Sequence, residues 1–302
     1  MKKDKIAILI PCYNEVKTIK NVIRELKKEI PQATIYVYDN NSTDGTDIIA
    51  KNEKVIVRYE KRQGKGNVIK RFFEDVIADC YLMIDGDNTY SCKNAKEMCN
   101  LILKDKYDMV IGNRLTGTYF KENNRLFHNF GNKFVLFLLK IMFNSQIKDA
   151  MSGFRTFSPK FVNSINIQSK EFEIETEMCI FSIENDMKVH QIDIGYRNRP
   201  KGSYSKLKTI KDGKKVIKTI FRFFKYYKPK KFYNLLGFIN MIISIVSLII
   251  IIKLPHNIFF YIIPITFMFI AILLFITGEI CNTIKFYNSE NYNKKENREW
   301  KK

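Results

Sequence analysis

The chain has 302 residues, 46% hydrophobic and 27% charged, enough for one sizeable domain with an appendage and too apolar for a disordered chain. Its net charge of +20 is uneven: residues 1–196 carry 30 Lys and Arg against 26 acids, residues 197–231 carry 14 against one, and residues 285–302 carry six against three. The six cysteines (Cys12, Cys80, Cys92, Cys99, Cys179, Cys281) have no Cys-x-x-Cys spacing and no histidine cluster nearby, which argues against a disulfide scaffold and for reduced thiols in a cytosolic setting.

The first apolar run, Ile6 to Ile10, is too short for a signal peptide and reads as a buried strand stopped by Pro11-Cys12-Tyr13-Asn14-Glu15. Ile19, Val22, Ile23, Leu26 and Ile30 predict a helix from about Thr18 to Ile30, ended by Pro31. A second strand, Thr34 to Tyr38, runs into Asp39-Asn40-Asn41-Ser42-Thr43-Asp44-Gly45-Thr46, where Thr46 or Asp47 caps a short helix. A third strand, Val55 to Tyr59, precedes Gln63-Gly64-Lys65-Gly66-Asn67 and a helix through Val76. Next comes Tyr81-Leu82-Met83-Ile84-Asp85-Gly86-Asp87, an apolar run that delivers two acids to a sheet edge. A helix over Ala95 to Leu103, a strand over Met109 to Ile111 leading into Gly112-Asn113-Arg114, and an apolar helix over Phe127 to Phe143 follow.

Alternation of strands and helices predicts an α/β fold, a mostly parallel sheet with helices on both faces. Glu15, Asp39 and the Asp85/Asp87 pair then share the edge beyond the strands' carboxyl ends, where such sheets bind ligands. Two carboxylates on one loop repel unless a positive charge lies between them, and a hard divalent cation takes oxygen ligands of this kind. Lys65 makes no Walker loop, and reads equally as a flexible turn or a phosphate contact. The acids of Glu171-Phe172-Glu173-Ile174-Glu175-Thr176-Glu177 fit a solvated face as well as a site, while the isolated His128 and His190 read as structural.

Between Lys208 and Tyr227, apolar Ile210, Val216, Ile217, Ile220, Phe221, Phe224 and Tyr227 recur at helical spacing among lysines, the pattern of a basic amphipathic helix lying in a membrane interface. Leu235 to Ile252 and Ile258 to Thr277 then give 18 and 20 residues without a charge, separated by Lys253-Leu254-Pro255-His256-Asn257. Each can cross a hydrocarbon core of about 30 Å, so the basic segment is assigned to a lipid bilayer and not to nucleic acid. Basic residues flanking the pair place both termini in the cytoplasm. The expected organisation is a catalytic domain over 1–207, an interfacial helix over 208–231, two transmembrane helices within 232–280 and a charged tail over 281–302.

Pro11 to Glu15, Asp39 to Thr46, Asp85 to Asp87, Asp149-Ala150-Met151-Ser152-Gly153-Phe154-Arg155 and Ser203-Tyr204-Ser205-Lys206-Leu207 occur in an order that resembles family 2 glycosyltransferases of the GT-A fold. Within them, the chain is similar to polyprenyl-phosphate glycosyltransferases related to dolichol-phosphate mannosyltransferase, over roughly residues 4 to 285. The resemblance implies inverting transfer from a UDP- or GDP-linked sugar to a polyprenyl monophosphate at the cytoplasmic face, with homo-oligomerisation left open. It implies a donor site from Pro11, Tyr13, Glu15, Asp39, Asn41, Lys65, Asp85 and Gly86. Asp85 and Asp87, with Thr89 nearby, would hold Mg2+ or Mn2+. Arg114, Asp149 and Arg155 would surround the reacting centre, and Arg199, Ser205 and Lys206 would neutralise phosphates.

Two positions depart from the family pattern. Asn40 stands where relatives often have a second Asp, and Thr89 where many have a metal-binding Gln. Because the acceptor phosphate is largely ionised at neutral pH, Asp149 is expected to orient or act as a weak base, not as a strong one. Processive synthases of this fold carry Gln-x-x-Arg-Trp, which the lone Trp300 does not form. Competing readings are transfer to a glycolipid, glycan or protein, and a non-enzymatic adaptor for anionic membranes.

Overall fold

The computed structural model describes residues 4–115, 126–200, 202–206, 209–252 and 258–299. Leu207, Lys208, the Lys253 to Asn257 linker and Trp300 lie outside the described residues. The chain divides into two compact units, 1–220 and 221–302.

The first unit is built on a seven-stranded sheet: β1 (Asp4–Cys12), β2 (Thr34–Asp39), β3 (Ile56–Tyr59), β4 (Ala78–Met83), β5 (Met109–Asn113), β6 (Arg155–Phe157) and β7 (Val189–Asp193), in the order β3-β2-β1-β4-β6-β5-β7. All neighbours are parallel except β6, which runs antiparallel to both β4 and β5. Registers of Cys12 with Asp39 and of Leu9 with Met83 bring the carboxyl ends of β1, β2 and β4 to one edge, as the acid-tipped strands imply.

Both faces of the central strands are buried, which explains why Ile6 to Ile10 and Tyr81 to Ile84 read as unbroken apolar runs. The helix α1 (Ile19–Glu29) turns Ile19, Val22, Ile23 and Leu26 inward onto Ile6, Ile8 and Ile10. The helices α2 (Thr46–Asn52), α3 (Lys65–Asp75), α4 (Ala95–Leu103) and α5 (Leu126–Phe143) appear where expected, but Gly45, at φ 85°, takes the N-cap of α2 and draws Thr46 and Asp47, the expected caps, into its first turn.

Sequence periodicity does not announce β6, β7, the short α6 (Pro159–Ser164) or α7 (Ile174–Glu184). Three-residue β6 is too short to show a period, and α7 is buried all round, so it has no polar face to mark it. The solvated-face reading of residues 171–177 therefore fails for Glu175 and Glu177, each 3% exposed. His190 lies in β7 with its ring 5.0 Å from that of Tyr107, a packing role.

The basic helix is α8 (Thr209–Tyr227), and residues from Pro229 onward belong to the next helix, so it ends short of the expected 231. Its apolar positions also divide: Val216, Ile220 and Phe224 are buried while Ile210 and Phe221 are exposed.

In the second unit, α9 (Pro229–Ile252) and α10 (Ile262–Glu299) pair as an antiparallel hairpin. Lys230 Nζ lies 2.6 Å from Glu279 Oε1, the bare face of Gly237 meets the Phe275 ring, and Ser244 Oγ donates to the Pro264 carbonyl at 2.7 Å. Spans Pro229–Ile252 and Ile258–Tyr287 have mean hydropathies of 2.8 and 2.7 with only 17% and 11% of their most apolar stretches buried. By length and composition they form a candidate transmembrane hairpin, its exposed faces covered with Ile, Leu and Phe.

Candidate active site

At the end of β1 the chain leaves the sheet through Asn14, in the left-handed region at φ 54°, and is locked to the loop after β2. Backbone N–H groups of Asn14, Glu15 and Val16 donate to Ser42 Oγ (2.9 Å), Thr46 Oγ1 (2.8 Å) and Asp44 Oδ2 (3.1 Å). Thr43 N donates back to Asn14 Oδ1 at 2.8 Å. The hydrogen-bonding side chains of residues 39–46 thus hold Glu15 in place.

Asp39, an expected donor contact, is 3% exposed and does not line the pocket; its Oδ1 accepts from Ser42 N, while its Oδ2 is buried without a hydrogen-bond partner. Asn40 is spent on the loop after β3, donating to the Glu60 and Arg62 carbonyls and accepting from Gly64 N at 2.7 Å. Asn41, an expected donor contact, is exposed, donates to the Lys61 carbonyl and Gln63 Oε1, and does not line the pocket.

That pocket encloses about 770 Å³ and is lined by Pro11, Tyr13, Glu15, Lys65, Asp85, Gly86, Asp87 and Thr89, and by Arg114, Arg199, Ser205 and Lys206. Twelve further residues complete the wall, among them Cys12, Tyr90, Asn198 and Glu175. The bare face of Gly86 lies against the Cys12 sulfur, so even one carbon there would collide. The Asp85 carboxylate abuts Gly153 in the same way.

Each pocket acid faces a cation. Lys65 Nζ lies 2.5 Å from both Asp85 Oδ1 and Glu175 Oε1. Arg199 binds Asp87 Oδ2 and is 3.8 Å from Glu15 Oε1, while Lys206 Nζ is 3.2 Å from Glu15 Oε1 and donates to the Asn14 carbonyl at 2.8 Å. Arg199 arrives there because its segment is stitched to the residues just past Asp87: Ser91 N donates to the Gly195 carbonyl at 3.1 Å and Arg197 N to that of Thr89 at 2.8 Å.

Burial pushes the Glu15 carboxyl above its ordinary range, with Asp87 adding to this and Lys206 and Arg199 opposing it. Burial likewise raises Glu175, against the pull of Lys65. For Lys65 burial favours the neutral amine, but Asp85 and Glu175 outweigh it and hold the ammonium above the ordinary lysine value.

Asp149 and Arg155 also stand outside the pocket wall. Asp149 is 1% exposed and does not line the pocket; its Oδ2 accepts from Arg114 N (3.2 Å) and Nε (3.0 Å), so it aims Arg114. Arg155 is fully buried, also outside the lining, with Nε donating to the Ser152 carbonyl and Nη2 to that of Ala150, both at 2.8 Å. Its donors are consumed in shaping the 149–155 loop, which corrects the expectation that its guanidinium faces the reacting centre. The Thr89 hydroxyl donates to Asp87 Oδ1 at 2.6 Å and steadies that carboxylate. Glu175 is the residue that sequence reasoning left unassigned, although the alternating acids of 171–177 are the signal that points to it.

The site can hold an anion with Arg114, Arg199 and Lys206, and a hard cation with Asp85 and Asp87. Among the described residues no group of three or more His, Cys, Asp or Glu converges as a ready-made metal cage. Two carboxylates completed by phosphate oxygens are instead the donor set that Mg2+-type sites use, so the residues present fit such an ion.

Residues 7–165 match the family described as Glycosyl transferase family 2. The chain is 33% identical over 220 residues to glycosyltransferase AglJ of Haloferax volcanii, covering 72% of each. It is 25% identical over 213 residues to the UDP-N-acetylglucosamine--dolichyl-phosphate N-acetylglucosaminyltransferase of Methanococcus voltae, covering 63% of this chain and 84% of that one. Among solved structures, glucosyl-3-phosphoglycerate synthase of Mycobacterium tuberculosis, in complex with Mn2+, uridine diphosphate and glucosyl-3-phosphoglycerate, has the same fold, with a TM-score of 0.58 and 20% identity over 72% of this chain and 79% of that one. With the acid-tipped parallel sheet and its pocket, these likenesses assign the chain to glycosyl transferase family 2, as a glycosyltransferase of GT-A-like fold.

Proposed function

We propose that the protein transfers a sugar, with inversion at the anomeric carbon, from a UDP- or GDP-linked donor to a polyprenyl monophosphate at the cytoplasmic face of a membrane. The observation that carries this reading is the joining, in one pocket, of strand-end acids Glu15, Asp85 and Asp87 with Lys65, Arg199 and Lys206, on a chain that also has a candidate transmembrane hairpin. A polyprenyl tail stays in the bilayer, so its phosphate is met only by an enzyme held at the surface. The acceptor class is supported by the dolichyl-phosphate substrate in the name of the archaeal relative, and the donor class by uridine diphosphate in the solved synthase.

In this reading Pro11, Tyr13 and Glu15 hold the nucleoside, with Asp39 in the layer behind them. Asp85 and Asp87 hold Mg2+ or Mn2+, Asp87 more directly. When bound, that cation supplies positive charge to the departing nucleoside diphosphate. Arg199 and Lys206 turn from Asp87 and Glu15 to phosphate oxygens, and Arg114 is kept on the reacting side by Asp149. A phosphate monoester with a second pKa of about 6 reaches the sugar already ionised, so no residue has to take its proton. The hairpin anchors the catalytic unit, with both termini cytoplasmic by their basic residues.

The test is incubation of the purified protein in liposomes with undecaprenyl phosphate, Mg2+ or Mn2+, and a panel of UDP- and GDP-sugars, following nucleoside diphosphate release and glycolipid by mass spectrometry. A metal-dependent sugar-phosphate-polyprenol is the expected product. Donor cleavage that never labels the lipid moves the acceptor to a glycan or protein, and turnover that persists in EDTA removes the metal.

A further inference from the structure

The acidic run 171–177 divides its labour. Glu177 accepts from the backbone N–H groups of Gln168 (2.8 Å) and Ser169 (2.6 Å), Glu173 from that of Lys170 (3.2 Å), and Glu171 pairs with Lys215. Those contacts mould the loop before α7. Glu175 differs: in the first turn of α7 and 3% exposed, it spends Oε1 on Lys65, whose ammonium touches Asp85 at the same distance of 2.5 Å.

The loop carrying Lys65 is built to meet it. The bare faces of Gly64 and Gly66 press on the carbonyls of Lys170 and Ser169, so that a Cβ at either would overlap them, and Asn67 N reaches the Lys170 carbonyl at 3.4 Å. Loop, lysine and Glu175 are therefore assembled as one piece beside Asp85.

We propose that Glu175 is a positioning residue that acts through Lys65: it keeps the buried ammonium neutralised when Asp85 turns to a divalent cation. The inference rests on the reading above in which Asp85 helps to hold that cation. A lysine displaced from Asp85 with no second carboxylate would be an unpaired buried charge, which is strongly disfavoured. With Glu175 already bonded, Lys65 stays paired when Asp85 leaves it, and the exchange loses one ion pair without stranding either charge. Nothing in this scheme needs Glu175 to touch donor, acceptor or metal.

The test is Mn2+ binding to the full-length protein in detergent with UDP present, read from the electron paramagnetic resonance signal of free Mn2+, for wild type, Glu175→Gln, Lys65→Met, the double variant and Glu177→Gln. Glu175→Gln is expected to weaken Mn2+ binding about tenfold or more, because Lys65 then clings to Asp85 alone. The same change made on top of Lys65→Met should have less than a twofold effect, since there is no ammonium left to strand. Glu177→Gln, equally buried but holding only backbone, should lower the melting temperature and leave Mn2+ affinity within twofold.

Unchanged Mn2+ affinity in Glu175→Gln overturns the inference while leaving the metal site in place. An equal loss in the Lys65→Met background also overturns it, showing that Glu175 acts on its own. A wild type that binds UDP but no Mn2+ overturns both this inference and the metal reading beneath it.

Discussion

The pocket of the sheet unit and the C-terminal hairpin are held together by opposite means. In the pocket, Glu15, Asp85, Asp87 and Glu175 face Lys65, Arg199 and Lys206, and loops from distant parts of the chain are tied by side-chain hydrogen bonds to backbone. Among the described residues of the hairpin, the Lys230–Glu279 ion pair and the Ser244 hydroxyl bond accompany long apolar faces that leave their bulk uncovered. Charged networks set in a low-dielectric site are sensitive to loss of one partner, whereas packed apolar helices lose little with one contact. Function should therefore break at single atoms of the pocket, and the hairpin should tolerate the same treatment.

The largest contrast is expected from Asp87→Ala. It should lower sugar transfer by a factor on the order of 10² to 10³ or more, the scale of removing one preorganised electrostatic group, while the protein stays folded and in the membrane fraction. Glycolipid yield against flotation with liposomes measures both, and wild-type turnover in this variant would exclude Asp87 from the chemistry.

Arg155→Met sharpens the line between site and scaffold. Its guanidinium satisfies the Ser152 and Ala150 carbonyls away from the pocket, so the expected loss is in stability, about 3 kcal/mol for two buried acceptors left without partners. Donor binding by the fraction that remains folded should match wild type; normal stability with lost donor binding would return Arg155 to the site.

On the other side of the comparison, Ser244→Ala removes the Ser244 bond to the Pro264 carbonyl inside the hairpin. A cost of about 0.6 kcal/mol is expected from thermal melting in detergent, with transfer unchanged. A larger effect would mean that hydrogen bonding, and not packing, holds the two helices.

The smallest expected effect lies at the end of α3, where Asp75 meets Arg71, Tyr38 and Arg58. Burial pushes the Asp75 carboxyl up, but Arg71, Tyr38 and Arg58 together hold it below its ordinary value of 3.8. A depressed folded value means that its contribution is fully present above 3.8 and fades as pH falls through the lower folded value. Asp75→Asn should thus melt earlier than wild type at neutral pH and converge with it toward pH 2; a constant difference at all pH values would assign the effect to shape and not to charge.

Much of the fold is legible in local pattern. Apolar runs such as Ile6 to Ile10, helical spacing in α1 and the uncharged spans after Leu235 depend on neighbours a few residues apart, so the chain alone carries them. So does the arrival of Glu15, Asp39 and Asp85 at one edge, because parallel strands with crossover helices align their carboxyl ends. β6 and α7 are not legible, the first because three residues hold no period and the second because full burial removes the polar face that marks a helix.

The composition and periodicity of this sequence thus determine an α/β domain with acid-tipped strands, a basic segment and two long apolar helices. Tertiary structure alone decides which charges meet: that Lys65 is shared by Asp85 and Glu175, 110 positions from the latter, that Arg199 lies on Asp87, and that Asp149 serves Arg114 while Arg155 turns inward. The reason is range. Periodicity records the environment of a residue's neighbours in the chain, but an ion pair is fixed by the packing of elements far apart in sequence, which no local pattern encodes.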